Sequence, residues 1–146
     1  MTTTSSRATD EITALYDGWV AAIRKKDLAG ALAHYSPDVV AFDLINPLQY
    51  RGVAALSKRL QEWFASFNGP LGYEVRDVQV AAGEEVAFSH SMNHVQATTN
   101  DGKSIDMWWR ATLCYRRQGD EWLVTHSHTS VPFDMETTMA SLALKP

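Results

Sequence analysis

Few residues in this chain are placed to do chemistry. Asp43 ends the apolar run 39–42 and is followed by two more apolar residues, Leu44 and Ile45. A carboxylate enclosed by such side chains is poorly hydrated, which makes it a stronger base than one in water. The same aspartate also reads as a turn residue accepting backbone hydrogen bonds before Pro47. His90 and His94 alternate with Val86, Phe88 and Met92 on one face of a candidate strand. Four strand residues span about 13 Å, too far for both rings to hold one ion unaided. Trp108, Arg110 and Thr112 share a face of the next strand. An inward Arg110 is a permanent cation that needs a carboxylate, from Asp43 or from a ligand; an outward one is a weak surface ion-pair partner. His126 and His128 form a His-x-His pair, but no cysteine or further acid lies at a spacing that completes a metal site. No metal is expected.

Composition narrows the function classes. The chain has 146 residues, 45% apolar and 21% charged, which suits one soluble domain with a real core. A net charge of −4, with basic residues only in short clusters, argues against a nucleic-acid binder. The single cysteine, Cys114, excludes an intrachain disulfide framework and fits a reducing, cytoplasmic setting. No uncharged run approaches the length of a membrane span. The opening stretch MTTTSSRATD has no apolar segment of the signal-peptide kind. Residues 1–9 are expected to be a flexible leader and 10–146 a single domain. No phosphate loop, serine nucleophile elbow or zinc-protease motif occurs, so no cofactor is expected.

The elements that must position these residues follow from periodicity. Ile12, Leu15, Tyr16, Trp19, Val20 and Ile23 make one apolar stripe on a helix starting near Asp10. A short second helix over 28–35 is broken by Ser36-Pro37-Asp38. Residues 39–44 read as a strand and 49–51 as its short partner. A third helix carries Val53, Leu56, Leu60, Trp63, Phe64 and Phe67 on its stripe, and Asn68-Gly69-Pro70 ends it. Four long strands follow over 73–80, 86–98, 104–117 and 122–131, joined by turns such as Asp101-Gly102. Helices first and strands last predict an α+β fold: three helices packed on a curved, mostly antiparallel sheet. Such a sheet makes a cone with an interior pocket at its open end. The last strand leaves its facing open. Trp122, Val124, His126, His128 and Ser130 share one face; Leu123, Thr125, Ser127 and Thr129 share the other.

Three segments carry a resemblance: WVAAIRKKDLAGALAHYSPDVVAFD, YRGVAALSKRLQEWF and RATLCYRRQGDEWLVTHSHTSVPF. They resemble the nuclear-transport-factor-2-like superfamily, cystatin-like α+β cones that include ketosteroid isomerase, the SnoaL-like polyketide cyclases and the association domain of calcium/calmodulin-dependent kinase II. The resemblance places Asp43 at the isomerase's catalytic carboxylate, which removes a proton next to a carbonyl. Trp19 falls at the isomerase's tyrosine, with Tyr16 one turn away, and Thr112 or Ala111 falls at its second acid. Steroid isomerisation by that mechanism is therefore not expected. The resemblance also turns His90, His94 and Arg110 toward the cavity. It turns Thr129 inward and His126 and His128 outward, whereas Trp122 and Val124 look like core; a bulge would reconcile the two. Homodimerisation through the convex sheet face is implied as well.

The combined expectation is a pocket for a hydrophobic small molecule. Asp43 is its base, and His90 or Arg110 stabilises an oxyanion. Tyr16, Trp19, Phe42, Trp63, Phe88, Met92, His94, Trp108, Thr112 and Thr129 form its walls. The activity implied is a cofactor-free isomerase, cyclase or dehydratase acting on a hydrophobic carbonyl compound. The alternative is a non-catalytic ligand-binding or oligomerisation domain, and the sequence does not decide between them.

Overall fold

The first apolar stripe forms a helix, and it starts earlier than its periodicity suggests. A computed structural model describes residues 4–146, and α1 spans Thr4–Arg24. The stretch expected to be a flexible leader is thus helical from Thr4 onward, and positions 1–3 lie outside the described residues. Ala8, one turn before Ile12, is fully buried with it. An alanine adds little to a hydrophobic stripe in sequence, but here it extends the buried face by a turn.

The elements that follow are α2 (Leu28–Leu32), β1 (Tyr35–Phe42), β2 (Tyr50–Arg51), α3 (Val53–Ala65), β3 (Phe67–Ala82), β4 (Val86–Thr99), β5 (Ser104–Gln118) and β6 (Glu121–Ser130). The Asp27 side chain accepts the Gly30 N–H and caps α2. Gly52, before α3, sits at φ +86, a backbone state that favours glycine, while its N–H bonds the Val39 carbonyl at 2.7 Å. Ser36-Pro37-Asp38 does not precede the strand but lies inside β1, where the pairing with β6 slips between Tyr35 and Val40. Proline has no N–H to give a ladder, so an irregular stretch is where a strand can hold one. Asn68-Gly69-Pro70 is likewise part of β3 and lies beside its register shift.

The six strands form one sheet in the order β2-β1-β6-β5-β4-β3, with β1 and β6 parallel and the other neighbours antiparallel. Two apolar clusters join helices to sheet. Ala8, Ile12 and Tyr16 pack with Val39, Ala87, Tyr115, Trp122 and Val124. Ala22, Ile23 and Ala31 pack with Phe64, Phe67, Leu71, Tyr73 and Val95. Glu11 ties α1 to the last hairpin by accepting from Trp122 Nε1 at 3.0 Å and Arg117 Nη2 at 3.2 Å.

One residue sets the facing of the last strand. Tyr115 pairs with Val124 and Cys114 with His126, so Thr125 is an extra residue, a β-bulge, and its hydroxyl donates to the Cys114 carbonyl at 3.3 Å. Before the bulge, Trp122 and Val124 point into the core. After it, Ser127 and Thr129 face the interior, while His126 and His128 stand on the outer face with the Phe42 ring.

Candidate functional site

The helices and the inner face of the sheet enclose a cavity of about 590 Å³. Small residues on the sheet make the room: Ser91 and Asn93 on β4, Ala111 on β5 and Ala41 on β1 all border it. Aromatic rings make the walls. Trp63 meets Phe67 edge-on at 5.3 Å and Trp109 at 6.5 Å, and Trp19 meets Tyr73 edge-on at 5.2 Å. Edge-to-face packing of this kind holds each ring in a fixed orientation. Val131, Ala140 and Leu142 bring the C-terminal segment onto the same cavity. That segment folds back on itself through a bridge between Phe133 and Ala140.

Two charged side chains, Asp43 and Arg59, border this cavity, and they are paired. Arg59 Nε donates to Asp43 Oδ2 at 2.9 Å. The Leu44 N–H donates to Asp43 Oδ1 at 2.6 Å, and the Thr129 hydroxyl lies 3.5 Å from the same oxygen. Both side chains are about one-fifth exposed, 21% for Asp43 and 18% for Arg59. A charge pair this enclosed is held more firmly than one on the surface, and separating it strands either partner. The Arg59 Nη groups have no hydrogen-bond partner among the described residues.

Hydroxyl and amide groups on and behind the cavity wall already satisfy one another. The Tyr16 and Ser89 hydroxyls are 2.6 Å apart, and Ser89 is 2.9 Å from the Tyr115 hydroxyl. Tyr73 donates to Asn93 Oδ1 at 2.8 Å, and Asn93 Nδ2 donates to Ser91 at 3.2 Å. Burial pushes the Tyr73 and Tyr115 phenols well above their ordinary range, so both stay neutral.

The structure brings part of the expected set together. Asp43, Tyr16, Trp19, Trp63 and Thr129 border the cavity. Phe42 borders it too, but its ring packs edge-on against His126 and His128. Seven expected residues are not on the wall: Phe88, His90, Met92, His94, Trp108, Arg110 and Thr112. The β4–β5 ladder is regular from Val86 opposite Arg116 to Thr98 opposite Ser104. It therefore puts the pairs His90–Thr112, Met92–Arg110 and His94–Trp108 on the outer face. The inner face takes Ser89, Ser91 and Asn93, opposite Leu113, Ala111 and Trp109. Neither His90 nor Arg110 can stabilise an oxyanion in the cavity from there. Arg110 is exposed and donates to Ser130 at 3.1 Å.

Arg59 was not anticipated, although its sequence carries a signal. It stands three residues after Leu56 and four before Trp63, a charge on the flank of an apolar stripe. Ser91, Asn93, Met107 and Trp109 carry no such signal, because only the pairing parity selects them.

His94 has a structural role on the outer face. Its Nδ1 is 2.9 Å from Glu74 and its Nε2 is 2.6 Å from Asp106, and its ring stacks on Trp108 at 4.3 Å. Each ring nitrogen thus faces a carboxylate, which fixes the ring between β3 and β5. The hydrogen bond from His94, then that from Gln96, holds the Asp106 carboxyl below its ordinary value. A depressed carboxyl contributes stability that is full above its unfolded value, about pH 4, and is lost as pH falls through the folded value. The stability gap between wild type and Asp106→Asn is therefore expected at pH 5 and should close toward about pH 2; urea titrations at both values measure it.

A family model described as a SnoaL-like domain matches residues 12–134. The chain belongs to the SnoaL-like family. This SnoaL-like domain is similar to a nuclear transport factor 2-like protein of unknown function from Pseudomonas putida KT2440, at 39% identity over 97% of this chain and 99% of that one, TM-score 0.88. A ketosteroid isomerase-like protein from Erwinia carotovora atroseptica shares the fold at 20% identity, over 83% of this chain and 93% of that one, TM-score 0.70. So does an uncharacterised protein with a cystatin-like fold from Caulobacter vibrioides, at 16% identity over 88% and 92%, TM-score 0.72. No curated protein matches the SnoaL-like domain. Among its described residues no helix is long and apolar enough to cross a membrane, and no group of three metal-ligating side chains stands together.

Proposed function

We propose that the cavity binds a hydrophobic carbonyl compound and that the domain acts on it as a cofactor-free acid–base catalyst of the isomerase, cyclase or dehydratase type. One observation carries this reading: a large, mostly aromatic and aliphatic cavity is bordered by a single carboxylate–guanidinium pair. A carboxylate offers about four lone-pair sites, the Arg59 and Leu44 donors use two of them, and the single Thr129 hydroxyl proton is shared between Asp43 and the Phe42 carbonyl. A remaining site can take a proton from the carbon next to the ligand carbonyl. The electron pair of that C–H bond then passes to the carbonyl oxygen, where a free Arg59 Nη–H donates to the developing enolate. Where the ligand carries a β,γ double bond, return of the proton from Asp43 to the γ carbon moves that bond into conjugation with the carbonyl and completes an isomerisation. Similarity to an isomerase-like fold is consistent with this chemistry but does not carry it.

The crowding of donors around Asp43 favours a second reading, in which the pair only orients a bound ligand. The exposed Phe42, Val86 and Phe88 side chains support a further part of the proposal, a homodimer formed through the outer sheet face.

Quenching of tryptophan fluorescence by 2-acetylnaphthalene tests the cavity itself. The wild type is expected to bind saturably. Ala111 pairs with Thr129 and borders the cavity beside Asp43. Ala111→Trp is therefore expected to weaken binding by about tenfold or more, since lost apolar burial of roughly 1.4 kcal/mol already gives that factor. Equal affinity in both proteins would place the ligand elsewhere.

A further inference from the structure

Four tyrosines, Tyr16, Tyr35, Tyr73 and Tyr115, come together under α1, and three of them have hydroxyl partners. Tyr16 and Tyr115 share Ser89, and Tyr73 has Asn93. Tyr35 has no hydrogen-bond partner among the described residues. It borders the main cavity and also a smaller void of about 30 Å³ beside it. Tyr35 begins β1, where it pairs with Val124, whereas Asp43 follows the end of that strand. Across the ladder Tyr35 faces Val124 and Phe42 faces His128, four β6 residues apart, so at most about 13 Å separates the two ends of the strand. The Asp43–Arg59 pair and Tyr35 therefore border the cavity from opposite ends of β1.

Two properties of Tyr35 fit together. Its side chain keeps some accessible surface, yet burial, and then the neighbouring Tyr16, pushes its phenol far above the ordinary range. Tyr35 borders both the cavity and the small void, so part of its surface faces them. A phenol in that setting stays protonated, so it offers a hydrogen to an uncharged acceptor. Among the described residues no buried side-chain oxygen lacks a partner, so the Tyr35 hydroxyl is open, and an oxygen entering the cavity it borders can meet it.

We propose that Tyr35 is a ligand-recognition residue whose hydroxyl donates to a neutral oxygen on the end of the ligand remote from Asp43. This rests on the reading of the cavity as a ligand site and sharpens it: the ligand is an elongated apolar molecule oxygenated at both ends. The competing occupant is a single water in the small void, which has room for one.

Two probes of nearly equal shape separate these possibilities: 2-acetyl-6-methoxynaphthalene, with an acceptor at each end, and 2-acetyl-6-ethylnaphthalene, with one. The wild type is expected to favour the methoxy compound about 2- to 10-fold, the range of one neutral hydrogen bond. Tyr35→Phe should erase that preference while leaving the affinity for the ethyl compound in place. The ratio is taken within one protein, so a partial loss of fold affects both probes alike. A preference that survives in Tyr35→Phe, or that the wild type never shows, overturns the role of Tyr35 and leaves the cavity reading standing. Failure of the wild type to bind either probe overturns both.

Discussion

Asp43→Asn is expected to slow exchange of the acetyl protons of bound 2-acetylnaphthalene in heavy water by about 10²- to 10⁴-fold, the usual contribution of a positioned general base. The amide is nearly isosteric with the carboxylate, and its oxygen can still accept from Leu44 or Arg59. What it lacks is a lone pair basic enough to take the proton. Affinity should change far less than the rate, because the aromatic walls that hold the body of the ligand are untouched. A fall in rate with affinity kept is the signature of an interaction made only in the transition state. The same variant leaves the Arg59 charge without its counter-ion, and a loss of about 2 kcal/mol in folding stability is expected, between the value of a charged hydrogen bond and that of a fully buried pair. Proton NMR of the acetyl signal and a urea titration measure the two effects separately. Equal exchange rates in both proteins would remove Asp43 from the chemistry.

Deletion of Leu123 should have the largest effect on the fold. The side-chain period along a strand is two, so a residue lost from the regular stretch before the bulge moves one of its buried neighbours to the other face. If the residues after it keep their places, Trp122, now 3% exposed, turns outward and loses its bond to Glu11. If Trp122 stays in, Val124, now 4% exposed, turns outward. Either outcome forfeits about 1.5–3 kcal/mol of apolar burial, a large share of the roughly 5–15 kcal/mol that holds a domain together. Deletion of Thr125 should do far less. Val124 is then followed directly by His126, opposite Tyr115 and Cys114, so the ladder becomes regular with every facing kept. That variant is expected to retain its near-ultraviolet circular dichroism and to lose about 1 kcal/mol with the hydroxyl bond to Cys114. Urea titrations of the two deletion variants measure the difference. A Thr125 deletion that costs as much as the Leu123 deletion would show that Thr125 is not the extra residue.

Much of the scaffold was legible because local chemistry and global structure agree there. The stripe from Ile12 to Ile23, the Asp101-Gly102 turn and the four long strands each follow from one period or one turn residue. Asp43 was legible for a different reason: a charge in an apolar run is conspicuous. Arg59 is conspicuous in the same way on its helix, once its place between Leu56 and Trp63 is noticed. The facing of β4 and β5 was not legible. In a sheet with one wet face, the larger apolar side chains normally point inward. Here the inner face borders a void and takes Ser89, Ser91 and Asn93, while Phe88, Met92 and Trp108 go outside. A sequence pattern marks two faces but not which of them encloses the cavity. The bulge at Thr125 and the irregular pairing around Pro37 depend on partners distant in sequence, so no local residue announces them.

The most direct test is the carbonyl stretch of 2-acetylnaphthalene labelled with carbon-13 at the carbonyl, recorded by difference infrared spectroscopy in the wild type and in Arg59→Met. Donation from the free Arg59 nitrogens predicts a band shifted well below its position in a hydrocarbon solvent, and a return toward that position when the guanidinium is removed. A band at the hydrocarbon position in the wild type, or one that Arg59→Met leaves unmoved, would contradict the placement of the ligand carbonyl against the Asp43–Arg59 pair.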